Sequence, residues 1–245
     1  MSRISTKLEI WVQAAAIMRV LSLPASFFKE YSSGELYQRT QYINDICSLL
    51  VSAVLSTGLT SVFMAKEYGF TVYAADLWSD PDENRRFFRR MGLSDGQVIP
   101  VKADATAMPF EREFFDAVVS TDSYNYFGRD PEYLDAKLAP FVKSGGYIYI
   151  ALTGMKNDCH DALPEELLLS WTPEQLDYIH ADYWRGIVSR STETELLELR
   201  EMESNEEVWA DWLRQDNEYA AGDRKAMEAG GGRYLNFIKI VLRKK

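Results

Sequence analysis

Asp76 closes the stretch Thr57 to Asp76, TGLTSVFMAKEYGFTVYAAD, which reads as a strand-to-helix turn, a helix and a strand ending in an acid. In a doubly wound sheet an acid at that place accepts hydrogen bonds from the two hydroxyls of a ribose, so the stretch points to an adenosine-containing cofactor. Only Thr57-Gly58 stands where a fuller Gly-x-Gly loop is expected, and the preceding Ser52 to Ser56 carries no acid. Two later groups hold side chains able to move a proton: Asp122, Tyr124 and Tyr126, and then Cys159-His160-Asp161. His160 can take a proton from a hydroxyl, amine or thiol near neutral pH. Its bland alternative is a partly solvated loop histidine. A Cys159-His160 nucleophilic pair is the weaker idea, since adjacent residues seldom point at each other.

Cys47 and Cys159 are too few for a disulfide framework, and with His160 and His180 they form no set of metal ligands at a recognisable spacing. A reducing cytoplasm fits this cysteine usage. Trp171, Tyr183, Trp184, Trp209 and Trp212 could wall a pocket or hold a cationic amine, but aromatics serve cores far more often than cages. The acidic run from Glu193 to Glu207 reads as a solvated face.

The elements that must position these residues alternate as a parallel sheet flanked by helices requires. Strands are expected at Leu49 to Leu55, Thr71 to Ala75, Val98 to Lys102, Phe115 to Ser120, Tyr147 to Leu152, Glu195 to Met202 and Tyr234 to Leu242. Two antiparallel strands are expected at the end of the sheet. FDAVVS, from Phe115, is a continuous apolar run of the kind buried on both faces. Asp80-Pro81-Asp82-Glu83 supplies a helix cap and a proline at the first helical position, with Gly92 as the stop. Asp130-Pro131 opens a helix towards Val142 that ends at Ser144-Gly145-Gly146. Thr172-Pro173-Glu174-Gln175 is a capping box for a helix to about Val188. A Trp-rich helix is expected from Val208 to Tyr219, followed by a break at Gly230-Gly231-Gly232.

The chain has 245 residues, 47% of them apolar, which is ample for a packed core. Its net charge is −10, and the first 65 residues carry 5 Lys/Arg and 4 Asp/Glu while the rest carry 22 and 33. Such a field disfavours phosphate-backbone binding, and no basic stripe with interleaved aromatics occurs, so a small molecule is the expected partner and not nucleic acid. The N-terminus lacks the apolar run and small-residue cleavage site of a secretory signal. Ile46 to Ala65 is twenty residues without a charge, the minimum length for a membrane span. Its rival is a buried strand, the turn, and a helix face of Leu59, Val62 and Phe63.

Taken together, TGLTSVFMAKEYG, VYAADLW, VKADATAMPF, FFDAVVSTDSYNYFG and FVKSGGYIYIAL resemble the class I S-adenosylmethionine-dependent methyltransferases of the small-molecule type, over roughly residues 57–245. The resemblance implies a doubly wound, mainly parallel, seven-stranded Rossmann-like sheet over residues 46–245, with a helical N-terminal segment at 1–45. It implies S-adenosylmethionine as cofactor. Gly58 would lie against its methionine end, Asp76 at its ribose, Asp104 and Ala105 beside its adenine and Ser120 under the pocket, with Thr57 and Leu77 also among the cofactor-binding residues. Asp122, Tyr126 and His160 are the catalytic candidates that follow. Family members carry an acid and a glycine run between the first strand and first helix, and about four such residues are missing here. The alternative is therefore an inactive, methyltransferase-like binding protein. A nicotinamide enzyme is disfavoured, because the Gly-x-Gly-x-x-Gly turn for a pyrophosphate is absent.

Residues 18–36, MRVLSLPASFFKEYSSGEL, with Arg39 and the apolar run after Asp45, are similar instead to part of the transmembrane domain of ABC exporters, over about 14–62. No Gly-x-x-x-x-Gly-Lys-Ser/Thr loop accompanies them. A hybrid chain carrying an exporter fragment is the reading this implies.

Overall fold

The computed structural model describes residues 58–176, 178–214 and 218–245. The chain divides into two compact units, one through Lys102 and one from Ala103. The expected strand at 49–55 and the exporter-like segment lie outside the described residues, apart from the stretch from Gly58 to 62.

In the first unit, helix α1 (Gly58–Tyr68) buries Leu59, Val62 and Ala65, spaced to fall on one face. They share a core with Val72 and Ala74 of strand β1 (Val72–Asp76) and with Phe87 and Phe88 of helix α2 (Pro81–Arg90). Strand β2 (Val98–Lys102) pairs parallel with β1 in register from Val72 against Val98 to Asp76 against Lys102. Helix α2 begins as its sequence dictates. Asp80 accepts the backbone N–H of Asp82 at 2.8 Å and of Glu83 at 3.1 Å, and Pro81 occupies the first turn. Those amides hold the Asp80 carboxyl below its ordinary range, Glu83 contributing most. Gly92, at φ 75°, leaves the helix in the left-handed region.

The second unit is built on a four-stranded sheet in the order β3-β4-β6-β5. Its strands are β3 (Phe115–Thr121), β4 (Val142–Met155), β5 (Thr194–Glu201) and β6 (Leu235–Lys244). β4 runs parallel to β3, while β6 is antiparallel to both β4 and β5. The period of two puts Ile148, Ile150 and Leu152 of β4 beside Ile238, Ile240 and Leu242 of β6 on one face, all essentially inaccessible to solvent. After the one-turn helices α3 (Tyr124–Phe127) and α4 (Glu165–Leu168), Trp184 and Val188 of helix α5 (Ala181–Val188) cover them, together with Tyr124, Tyr133, Leu134 and Leu138. Each such fully buried aliphatic contributes about 1.5–3 kcal/mol. Farther along, Trp209 of helix α6 (Asn205–Leu213) stacks on Phe237 at 5.8 Å. Trp212 donates its indole N–H to Asp223 of helix α7 (Glu218–Glu228) at 2.9 Å. Trp171, which meets Trp209 edge-on, is buried like Trp184, Trp209 and Trp212, so all four serve packing, as their type favours.

Several expectations change. In place of one seven-stranded sheet, the described residues form six strands in a pair and a quartet, with two parallel and two antiparallel pairings. Where two antiparallel end strands were expected, β6 alone opposes its neighbours, so β5 runs in the direction of β4. β3 is not buried on both faces: Ala117 and Val119 pair with Tyr147 and Tyr149 on a side open to solvent. The helix expected from Asp130 becomes a π-turn (Leu134–Leu138) and a 3-10 turn (Ala139–Phe141), because Pro140 has no N–H to continue a helix. Ser144-Gly145-Gly146 does not end a helix but lies inside β4. Gly145 has φ 79°, and a Cβ on Gly146 would stand 2.7 Å from the Asp116 carbonyl oxygen. The capping box is present, with the Thr172 N–H on Gln175 Oε1 at 3.0 Å, yet only a 3-10 turn (Pro173–Gln175) follows before α5. Burial of Leu176 and Tyr178 outweighs local helix preference there. The Trp-rich stretch divides between α6 and α7.

Asp135 ties the π-turn to the entry of β5. Its carboxylate accepts hydrogen bonds from the Ser191 hydroxyl, the Thr192 N–H at 2.8 Å and the Thr192 hydroxyl at 3.0 Å. Burial raises its pKa, but the bonds from Ser191 and Thr192 outweigh that and leave it lowered. A carboxyl with a lowered folded pKa contributes its stability above the unfolded value and loses it as pH falls through the folded value. Asp135→Ala is expected to destabilise the second unit by about 1–3 kcal/mol at neutral pH. In denaturant titrations the gap between variant and wild type should close on acidification below about pH 4.

Candidate functional site

In the first unit the candidate groups gather at the carboxyl end of β1. Asp76 is 9% exposed, and its Oδ1 accepts the backbone N–H groups of Trp78 and Ser79, both at 2.7 Å. The turn amides thus fix the rotamer of a nearly buried carboxylate at the end of a parallel strand, the place where open α/β sheets present groups to ligands. Leu77 and Trp78 stand out beside it, 44% and 77% exposed. Gly58 is buried at the start of α1, and Thr57 lies outside the described residues.

In the second unit Ser120, Asp122 and Tyr126 lie at or just after the carboxyl end of β3 and His160 on the loop after β4, while Asp104 and Ala105 come directly after β2. Asp122 follows β3 directly. It is 5% exposed and has φ 47°, a left-handed conformation that Asp adopts more readily than most residues. Two bonds from β4 hold it there: its N–H donates to the Ala151 carbonyl at 2.8 Å, and its Oδ1 accepts the Thr153 hydroxyl at 2.8 Å. Ser120 and Ser123 share a hydroxyl hydrogen bond of 2.8 Å across the same turn. Tyr126 lies in the short helix α3 (Tyr124–Phe127) and is 57% exposed, so its phenol is accessible. Tyr124, its neighbour, is not a site residue. It is wholly buried, its ring lies where a Cβ on Gly128 would come within 2.1 Å, and burial first and the Asp135 charge second raise its pKa.

Asp104 is exposed, and its Oδ1 accepts the N–H and the hydroxyl of Thr106 at 2.8 and 2.7 Å. The amide first and the hydroxyl second lower its pKa. The Ala105 carbonyl accepts the Tyr133 hydroxyl at 2.8 Å, and the Tyr133 ring meets Tyr124 edge-on at 5.9 Å. Tyr133 therefore joins the 104–105 loop to the turn that carries Asp122.

His160 sits on the loop after β4, exposed, with Nδ1 2.7 Å from Asp158 Oδ1. The Cys159 thiol points to the Asn157 carbonyl, so Cys159 and His160 form no nucleophilic pair. Among the described residues no group of three His, Cys, Asp or Glu could hold a metal ion, and no helix is long and apolar enough to cross a membrane. Residues 58–65 of the uncharged run belong to the 11-residue α1. Thr153, Tyr133 and Asp158 were not expected from the sequence. Only Thr153 left a trace, as a hydroxyl inside the apolar run IYIALTGM.

Residues 54–150 match a family model described as a methyltransferase domain. No curated protein matches the chain. Solved structures share its fold. The geranyl diphosphate C-methyltransferase of Streptomyces coelicolor A3(2), in complex with Mg2+, geranyl diphosphate and S-adenosyl-L-homocysteine, is 15% identical with a TM-score of 0.59, over 77% of this chain and 68% of that one. Phosphoethanolamine N-methyltransferase 2 of Haemonchus contortus, in complex with S-adenosyl-L-methionine, is 19% identical with a TM-score of 0.60, over 77% and 46%. The [4+2]-cyclase SpnF is 16% identical with a TM-score of 0.55, over 77% and 71%. These likenesses show a Rossmann-like fold that methyltransferases also have, and the family match lies within it at residues 54–150.

The conformation of Asp122 can be tested apart from any activity. Asn is also tolerated at positive φ, whereas Ala is not. Asp122→Asn is expected to stay within about 1 kcal/mol of wild type, and Asp122→Ala to lose roughly 1–2 kcal/mol more through backbone strain, measured by urea denaturation.

Proposed function

We propose that the chain is an S-adenosylmethionine-dependent methyltransferase acting on a small molecule. The observation that carries this reading is Asp76: a nearly buried carboxylate with a fixed rotamer, at the end of a parallel strand, inside the segment that matches the methyltransferase family. Its chemistry fits a ribose, because a carboxylate makes strong charge-assisted hydrogen bonds to a diol. The exposed Leu77 and Trp78 add apolar surface beside it. In the first unit Gly58 and Leu77 are assigned with Asp76 to cofactor contacts; in the second, the resemblance to the family assigns Asp104, Ala105 and Ser120 to cofactor contacts and Asp122, Tyr126 and His160 to the methyl acceptor. When bound, the cofactor supplies a methyl group already activated by its sulfonium. What remains for the protein is alignment, exclusion of water and removal of a proton from the acceptor.

The single glycine in the first turn favours a second reading, a domain that keeps the fold and has lost the cofactor. Calorimetric titration with S-adenosylmethionine separates the two. The leading reading expects saturable binding that Asp76→Asn weakens at least about tenfold, since Asn keeps an acceptor for the turn amides but not the charge. Trp78 gives a second readout, because its exposed indole should change emission on binding and Trp78→Phe should remove that change. Absence of binding at millimolar cofactor, in a chain shown to be folded, sinks the methyltransferase assignment.

A further inference from the structure

The loop after β4 holds a carboxylate and an imidazole in direct contact. Asp158 Oδ1 accepts the His160 backbone N–H at 3.1 Å and lies 2.7 Å from the His160 Nδ1. One oxygen thus restrains both the backbone and the ring of the same residue. The chain has two histidines, and both act on this one acid: the His160 ring and its amide lower the Asp158 pKa most, and the field of His180 adds to them. Cys159, between the paired residues, turns away to the Asn157 carbonyl.

A carboxylate on Nδ1 decides the tautomer of a neutral imidazole. It keeps the proton on Nδ1 and leaves the lone pair on Nε2, whereas a free imidazole side chain favours the opposite form. The loop also stands where such a group is useful. It leaves the carboxyl end of β4, the strand whose Ala151 and Thr153 hold Asp122, and ligands of open α/β sheets bind at that edge.

We propose that Asp158 is a positioning residue that holds His160 as its Nδ1–H tautomer and presents Nε2 as the proton acceptor for the methyl-accepting substrate. This rests on the methyltransferase reading above and narrows it to acceptors that carry a proton on the attacking atom, a hydroxyl, thiol or amine group. In the transfer, the acceptor heteroatom bonds to the methyl carbon as the carbon–sulfur bond breaks towards sulfur. The proton of the heteroatom passes to His160 Nε2, so the imidazole becomes cationic and is stabilised by the Asp158 carboxylate. Solvent later takes that proton back.

Nitrogen-15 NMR of the full chain reads the tautomer directly, because only two imidazoles contribute and His160→Gln assigns them. At alkaline pH, where imidazoles are neutral, the His160 ring is expected as Nδ1–H in the wild type and as Nε2–H in Asp158→Ala. Cofactor affinity by calorimetry should stay within about twofold, since Asp158 is assigned no cofactor contact. A wild-type ring in the Nε2–H form, or one that Asp158→Ala leaves unchanged, overturns the proposal. A held tautomer in a chain that binds no S-adenosylmethionine ends the role in methyl transfer while leaving the Asp158–His160 bond standing.

Discussion

The two-sided pairing of β4 is the constraint from which the second unit follows. Because β3 and β6 take its hydrogen bonds on opposite edges, its register is fixed from Tyr147 to Met155, and alternate side chains there are committed to opposite faces. One face delivers Ile148, Ile150 and Leu152 to the core. The strand's end then sets the geometry of the candidate site: Ala151 and Thr153 hold Asp122, and the next loop carries Asp158 and His160. A slip of one residue would turn the aliphatic set to the opposite face and release Asp122 from both partners.

The sequence shows the elements well where local chemistry and tertiary packing agree. The Asp80 cap with Pro81, the β1 and β2 strands and the Asp76 strand end all appear where the residues place them. The departures share a cause. Pro140 interrupts the helix expected after Asp130, and burial of Leu176 and Tyr178 interrupts the one after the Thr172 box, so each helical signal is cut short by a residue outside the cap that announces it. The place of β6 between β4 and β5 could not be read locally, since pairing partners far apart in sequence leave no mark in either strand.

Acids are the least legible class in this chain. Asp76, Asp80, Asp104, Asp130 and Asp158 each accept a backbone N–H from the second residue after them, so all five are turn formers. Sequence spacing alone cannot separate a turn acid from a ligand acid, because both sit at element ends. Burial separates them physically. Asp76 pays for desolvation that exposed Asp104 avoids, and the amides of Trp78 and Ser79 offset part of that cost. Asp122 differs again, since a nearly buried acid at positive φ persists only where its surroundings fix it.

Such fixed turns bear on what the fold can do. A [4+2]-cyclase and two methyltransferases share this architecture at low identity, so the sheet does not choose the reaction; the loops at its carboxyl edge do. Methyl transfer asks for little covalent participation, and its demands fall on alignment, which rigid loops satisfy better than mobile ones. In the second unit, rigidity comes from short hydrogen-bonded turns anchored to β4 and from Tyr133, whose hydroxyl binds the Ala105 carbonyl while its ring packs on buried Tyr124. Glycine would relax these turns. Aspartate closes them with its own carboxylate, and so leaves each loop both ordered and negatively charged at the edge where a ligand would meet it.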